Sequence, residues 1–272
     1  MEETNMKSLK KIAAIVLALT LALCAVTASA EGVLDKIKAA GKIVMGTEAT
    51  YPPYEYLDDD ANFAGCDIFL IEQIAAFLGV EIEIVDMDFD GIIPAVQSGL
   101  VDIGIAAFTK TPERAEVIDF SDLYETSAQL LIVKAGNADV YATKEAMAGL
   151  MVGAQQGTIQ SSLIESALPD SKLFELKTYP ELALETINGN IVGFVVDYAV
   201  GMAMVNSSDG QLEVSNFAFT AEEASFGKAV VVAQGNPDLL AAINEVIAQV
   251  LADGSYQAAY DAAVAATGET GD

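Results

Sequence analysis

The stretch IFLIEQIAAFLGVEIEI, residues 68–84, changes its hydrophobic period once, at Gly79. Before the glycine, Ile68, Ile71, Ile74, Ala75 and Leu78 recur at helical spacing; after it, Val80, Ile82 and Ile84 alternate with Glu81 and Glu83. A helix stopped by glycine and followed at once by a half-buried strand is one unit of an alternating α/β chain. The unit repeats in both directions. Lys42-Ile43-Val44-Met45-Gly46 reads as a strand, and Gly41 suits the end of a helix over 33–40. A helix near 90–98, a strand at 101–106 and a short helix from Pro112 come next. Beyond Val133, strands are expected near 150–154, 172–176 and 191–196, with helices at 143–148, 158–167, 180–188 and 197–205. Pro180 and Pro237 fit a first helical turn, and Asn236 fits an N-cap. The pattern implies an open, mostly parallel sheet wrapped by helices.

The N-terminus belongs to a different class of segment. Lys7, Lys10 and Lys11 precede an apolar run from Ile12 to Ala25, and Ala28-Ser29-Ala30 follows it, which reads as a secretory signal over residues 1–30. The run is short for a membrane span. Met6 offers a second start, and Leu21-Ala22-Leu23-Cys24 offers an alternative lipidation site. Leu23 is bulkier than such sites use, which favours cleavage after Ala30 and an extracytoplasmic location, periplasm or cell surface. Cleavage removes three lysines and two glutamates from a chain of formal charge −27, leaving about −28. That charge repels phosphate backbones, so a nucleic-acid partner is not expected. The chain has no histidine, which removes imidazole metal sites and His-activated nucleophiles. Cys66 stands alone once Cys24 is gone, so no disulfide, metal or cofactor is expected.

In open α/β sheets, ligands bind where strands exit into helices. Four exits carry unusual residues: 47–56, 107–114, 155–160 and Asp197. Arg114, the single arginine, reads either as a surface partner of Glu113, Glu116 or Asp119, or as a fork for a ligand carboxylate, with Thr109 and Thr111 beside it. Gly157 and Thr158 read as an ordinary helix cap or as a loop giving N–H groups to the same anion. Asp197 either caps the helix after it or pairs with a ligand ammonium. Tyr51, Tyr54 and Tyr56 pack on their own domain or wall off a ligand side chain, and Glu48 is either solvated or a selector for a basic or amide tip. Asp58-Asp59-Asp60 and Asp86 to Asp90 lack the spacing of a calcium loop and read as solvated turns.

In order along the chain stand Gly46-Thr47-Glu48, Tyr51-Pro52-Pro53-Tyr54-Glu55, Gly65-Cys66-Asp67-Ile68, Thr109-Lys110-Thr111-Pro112-Glu113-Arg114, Asp119-Phe120-Ser121, Gln156-Gly157-Thr158 and Val196-Asp197. Together they resemble the family 3 solute-binding proteins of polar amino-acid ABC transporters. The resemblance implies a two-lobed periplasmic-binding-protein-like (type II) fold with the ligand in the interlobe cleft. Residues 31–123 plus 227–272 would form one lobe, 128–221 the other, and 124–127 and 222–226 a two-strand hinge. It implies that Arg114 and Thr109 hold the carboxylate of a free amino acid, with Thr158 from the facing lobe. Asp197 and the Ala107 carbonyl would hold the ammonium, Tyr51 would cover the side chain, and Glu48 and Gln160 would lie near its tip. Basic or amide side chains are favoured, and cystine is a further candidate. The partners implied are a membrane permease and its ATPase, with the binding protein a monomer and not an enzyme. A dehydratase using Glu48, or a ligand sensor meeting a membrane receptor, are the alternatives. Lys228 interrupts an apolar strand, and Cys66 replaces a common Phe.

Overall fold

The structure, a computed structural model, describes residues 32–220 and 226–268. The segment 1–30 with Met1, Met6 and Cys24, residues 222–225 of the expected second hinge, and the end of the tail lie outside the described residues. Two five-stranded sheets organise the chain. In the first, Glu81–Asp86, Lys42–Thr47 and Ile103–Gly104 are parallel, and Val231–Val232 runs antiparallel between Ile103–Gly104 and Asp119–Phe120. In the second, Lys172–Leu176, Met151–Gln155 and Gly193–Asp197 are parallel, and Gln129–Lys134 runs antiparallel between Gly193–Asp197 and Leu212–Val214. Each inserted antiparallel strand is the one the chain enters on arriving from the other sheet. The crossings are Glu125–Ser127 and Phe226–Lys228, which pair antiparallel with Lys228 opposite Glu125. This is a two-lobed α/β fold with a two-strand connection.

The helix read from the opening stretch spans Cys66–Leu78 and ends at Gly79, whose left-handed φ of 70° returns its N–H to Ala75 and Ala76. Leu70, Ile71 and Ile74 are fully buried among the strand Lys42–Thr47 and the C-terminal helices Pro237–Ala252 and Ser255–Ala266. Each contributes roughly 2 kcal/mol of burial. Gly65 lets this helix start against the Tyr54 loop: a Cβ there would stand 2.1 Å from the Tyr54 carbonyl. That carbonyl and its neighbour instead accept the Asp67 and Cys66 N–H groups, which fixes the tyrosine loop beside the cleft.

Several expectations change. The strand read over 101–106 is only Ile103–Gly104, because the chain then turns through Ala107 at φ 46°. The helix read over 143–148 is a 3₁₀ turn, Glu145–Met147. Asn236 starts its helix without a side-chain cap; its Oδ1 accepts the Val33 N–H of another helix. The hairpin strands Thr50–Tyr51, Glu55–Leu57 and Phe63–Ala64 carry no run long enough to show a period.

Candidate functional site

The four strand exits meet between the two sheets. All eight residues expected to bind, Glu48, Tyr51, Ala107, Thr109, Arg114, Thr158, Gln160 and Asp197, line one small, partly open cavity together with Glu55, Phe89, Ala106, Gln155 and Ile159. It holds about 20 Å³, room for a single water molecule. Arg114, Thr158 and Ile159 also line an outer groove of about 630 Å³. An amino-acid-sized solute therefore needs the lobes to part.

Arg114 is no solvated partner of nearby acids. Its Nη1 donates to the Thr109 carbonyl at 2.8 Å and its Nη2 to the Gly157 carbonyl of the facing lobe at 2.9 Å. Its guanidinium carbon stands 5.5 Å from the ring centroids of both Phe89 and Phe108. Burial lowers its pKa to about 10, which leaves it charged at neutral pH. Two of its five N–H donors are engaged by these carbonyls, leaving capacity for an anion in the cavity. Thr111 caps the short helix Pro112–Ala115 that carries it, accepting the Arg114 backbone N–H.

Asp197 ends the strand Gly193–Asp197 and makes no helix cap. Its Oδ2 accepts the Tyr51 hydroxyl at 2.6 Å and an ion-paired hydrogen bond from Lys228 Nζ, and its Oδ1 accepts from Gln129 Nε2. Gln160 donates in turn to Gln129 Oε1 at 2.8 Å. Asp197 and Lys228 are 2% and 1% exposed, a fully desolvated pair. Three contacts add to the expected roles. Lys228 ends the crossing strand, before the separate strand Val231–Val232, and serves Asp197. Tyr51 grips Asp197 with its hydroxyl while its ring packs on Tyr54 and Tyr179, 5.8 and 5.1 Å away. Gln160 stands in the Asp197 network, whereas the residue bonded to Glu48 is Gln155, at 3.2 Å.

Glu48 is buried and also accepts from the Thr50 hydroxyl. Burial raises its pKa, with those two donors drawing it back. Thr158 sits at a helix start but donates its hydroxyl to the Gln155 carbonyl instead of capping. Gly157, at φ 74°, meets the backbone of Asp90: a Cβ there would come within 2.9 Å of the Asp90 Cβ. Asp88 and Asp90, read as part of a solvated turn, both pair with Lys177 across the cleft, at 3.4 and 2.8 Å.

Glu55, which lines the cavity, and Asp67, which does not, are both buried carboxyls. Asp67 Oδ2 accepts from the Ala107 N–H at 2.8 Å and the Tyr124 hydroxyl at 3.0 Å, which holds Ala107 in its left-handed conformation. Burial, then the Asp67 charge, pushes Glu55 well above the usual carboxylate range. The raised value favours the protonated form of Glu55 beside Asp67. Asp67 was visible only as part of a motif. Gln129 had a signal, a polar residue heading the apolar run Leu130–Val133, as Asp197 ends one. Among the described residues, no cluster of Cys, Asp or Glu is arranged to hold a metal ion.

Comparison with known proteins bears on this geometry. The sequence model of the bacterial extracellular solute-binding proteins, family 3, matches residues 43–264. The L-cystine-binding protein TcyJ of Escherichia coli K12 is 31% identical over 231 residues, 84% of each chain. The amino-acid ABC transporter substrate-binding protein AbpA of Streptococcus pneumoniae, in its structure bound to L-arginine, superposes with a TM-score of 0.82. It is 30% identical, and the match covers 87% of this chain and 100% of that one. An ancestral amino-acid-binding protein described as a precursor of cyclohexadienyl dehydratase superposes at 0.77, also 30% identical, over 86% of this chain and 100% of that one.

Proposed function

Because the chain belongs to the bacterial extracellular solute-binding proteins, family 3, we propose that it is the extracytoplasmic substrate-binding component of an ABC importer. It captures a polar amino acid between its lobes, with cystine a further candidate, and delivers it, as a monomer, to a membrane permease and its ATPase. Residues 31–123 with 227–272, and 128–221, act as the two lobes, with 124–127 and 222–226 as the hinge. The observation that carries this reading is Arg114: a half-buried cation anchored to both lobes, with unspent donors, lining a cavity shared with Thr109 and Thr158. These three hold the solute's carboxylate. The Ala107 carbonyl and Asp197 hold its ammonium, with Tyr51 and Gln129 bonded to Asp197 and Gln160 bonded to Gln129. Glu48 meets the side-chain tip, which favours a basic or amide group. The relatives named for arginine and cystine support that size and polarity.

Protein refolded after unfolding, to remove co-purified solute, is titrated with the common amino acids, cystine and their close analogues. A working affinity near micromolar corresponds to about −8 kcal/mol. Arg114→Ala is expected to weaken the best stabiliser at least a hundredfold, because a desolvated carboxylate would lose its charged partner. Unchanged affinity in that variant would remove Arg114 from the site. The enzyme alternative rests on Glu48, whose raised pKa suits an acid; turnover of prephenate or arogenate by the purified protein would establish it.

A further inference from the structure

Ala106 and Ala107 line the cavity and carry no polar side chain, so at this strand exit only the main chain can meet a ligand ammonium. Where that main chain points depends on one side chain. The segment is tied at both ends by backbone bonds. The Ile105 N–H donates to the Gly46 carbonyl at 3.1 Å; at the other end the Phe108 carbonyl accepts the Ala229 N–H at 2.9 Å and the Lys110 N–H donates to the Gly227 carbonyl at 3.1 Å. Between these ties, the Ala107 N–H donates to Asp67 Oδ2 at 2.8 Å. Ala107 has a φ of 46°, a left-handed conformation that a residue with a side chain keeps only where its surroundings impose it. Among the described residues, none donates to the Ala107 carbonyl.

Asp67 is itself held. It lies in the first turn of the helix Cys66–Leu78, fully buried, with its N–H donating to the Tyr54 carbonyl at 2.9 Å. The oxygen that accepts from Ala107 also accepts the Tyr124 hydroxyl at 3.0 Å. Tyr124 precedes the crossing strand Glu125–Ser127, and its N–H donates to the Lys228 carbonyl at 3.0 Å. Burial pushes the Asp67 pKa up, and the Ala107 N–H is the strongest influence drawing it back. Asp67 does not line the cavity, whose own acidic side chains are Glu48, Glu55 and Asp197, the last paired with Lys228. Whatever Asp67 does for a solute therefore passes through the peptide it holds.

We propose that Asp67 is the positioning residue of the ammonium subsite: by fixing the Ala107 peptide it aims the Ala107 carbonyl at the solute's ammonium. It thereby decides how strongly an amino acid is preferred over the same acid without its amino group. This rests on the capture reading above, which gives that carbonyl to the ammonium. A carbonyl serves a donor only within a limited range of distance and angle. Without the Asp67 bond, Ala107 would relax out of the left-handed region and turn its carbonyl off that line. The solute's carboxylate is met by Arg114, Thr109 and Thr158, and Thr109 is held separately by its bridge to Lys228. The effect of Asp67 is thus confined to the ammonium end.

The test is a set of matched pairs, each an amino acid and the same acid lacking its amino group: arginine with 5-guanidinopentanoate, glutamine with glutaramate, cystine with 3,3′-dithiodipropionate. Three refolded chains are titrated by calorimetry, weak partners by competition: the wild type, Asp67→Leu, which matches the aspartate's shape without an acceptor, and Asp67→Asn, which keeps one. In the wild type, at least one amino acid is expected to bind tenfold or more tighter than its partner, about 1.4 kcal/mol. In Asp67→Leu that preference should fall by roughly fivefold or more, with the deaminated acid bound within about threefold of its wild-type affinity, and Asp67→Asn should restore the preference. An equal loss for both members, an unchanged preference, or an Asp67→Asn chain that behaves like Asp67→Leu would each overturn the proposal. Should Asp67→Leu not fold, the Ala107 amide resonance decides between wild type and Asp67→Asn: losing a charged acceptor moves it upfield, and a signal that stays put overturns the proposal. A wild-type chain that binds both members of every pair alike also overturns it and leaves capture through the carboxylate standing. If neither member of any pair binds the wild-type chain, the capture reading fails, and the proposal with it.

Discussion

Glu125 stands opposite Lys228 in the crossing pair, and burial pushes its carboxyl up to about 7, with the Tyr54 hydroxyl and the Lys228 charge drawing it back. The reference value is 4.5. Between the two, the folded chain holds a proton that the unfolded chain has released. Through this group, stability is therefore greatest at low pH and is lost as pH rises from 4.5 through 7. Glu125→Gln is expected to raise Tm at pH 8 by about 3–6 °C, with the gain shrinking on acidification and vanishing near pH 4.5. Thermal unfolding of both proteins across that range checks it; a gain that does not change with pH would point to packing instead of charge. At this scale legibility was uneven. Arg114 stands out in the sequence because a lone arginine at a strand exit is chemically conspicuous. Lys228 does not, because a lysine within an apolar run reads as a broken strand. Only the fold brings it to an acid 31 residues away. The Asp67 carboxylate is equally silent, since its partner, the Ala107 N–H, is backbone.

The longer strands and helices were readable because each has one buried face and enough residues to show its period. The cleft-forming exits were readable for the same reason, as the residues immediately after the strands Lys42–Thr47, Met151–Gln155 and Gly193–Asp197. The elements that create the two-lobed topology were not. Asp119–Phe120 and Val231–Val232 have two residues each, and Glu125–Ser127 and Phe226–Lys228 have three. No periodicity survives at that length, and their pairing is long-range. The loop Gln155–Thr158 shows how an element serves closure. Gly157 leaves its carbonyl to Arg114 and its missing side chain to Asp90. Gly157→Ala would strain a left-handed backbone and push the loop off Asp90, at a cost of roughly 1–3 kcal/mol to the closed arrangement. We expect solute affinity to fall about tenfold or more in that variant; titration checks it, and an unchanged affinity would mean that the lobes close without this contact.

The two lobes meet through a small number of polar bonds: Arg114 to Gly157, Glu48 to Gln155, Tyr51 and Lys228 to Asp197, and Lys177 to Asp88 and Asp90. The last of these is exposed and contributes at most about 1 kcal/mol, so the buried contacts of Asp197 and Glu48 dominate closure. The cavity between them has room for one water molecule, while the outer groove beside Arg114 is some thirty times larger. Filling the site is therefore a gated process. A solute waits outside until the lobes part, so the observed association rate should climb with concentration at first and then level off at the opening rate. The chain has no tryptophan, and Tyr51, Tyr54 and Tyr179 crowd together at the cleft, which makes stopped-flow tyrosine fluorescence a direct recorder. A rate that stays proportional to concentration into the millimolar range would mean the gate never limits entry. A plateau would give solute capture an intrinsic speed limit, set by how often the protein's own closing bonds let go and independent of how much solute surrounds it.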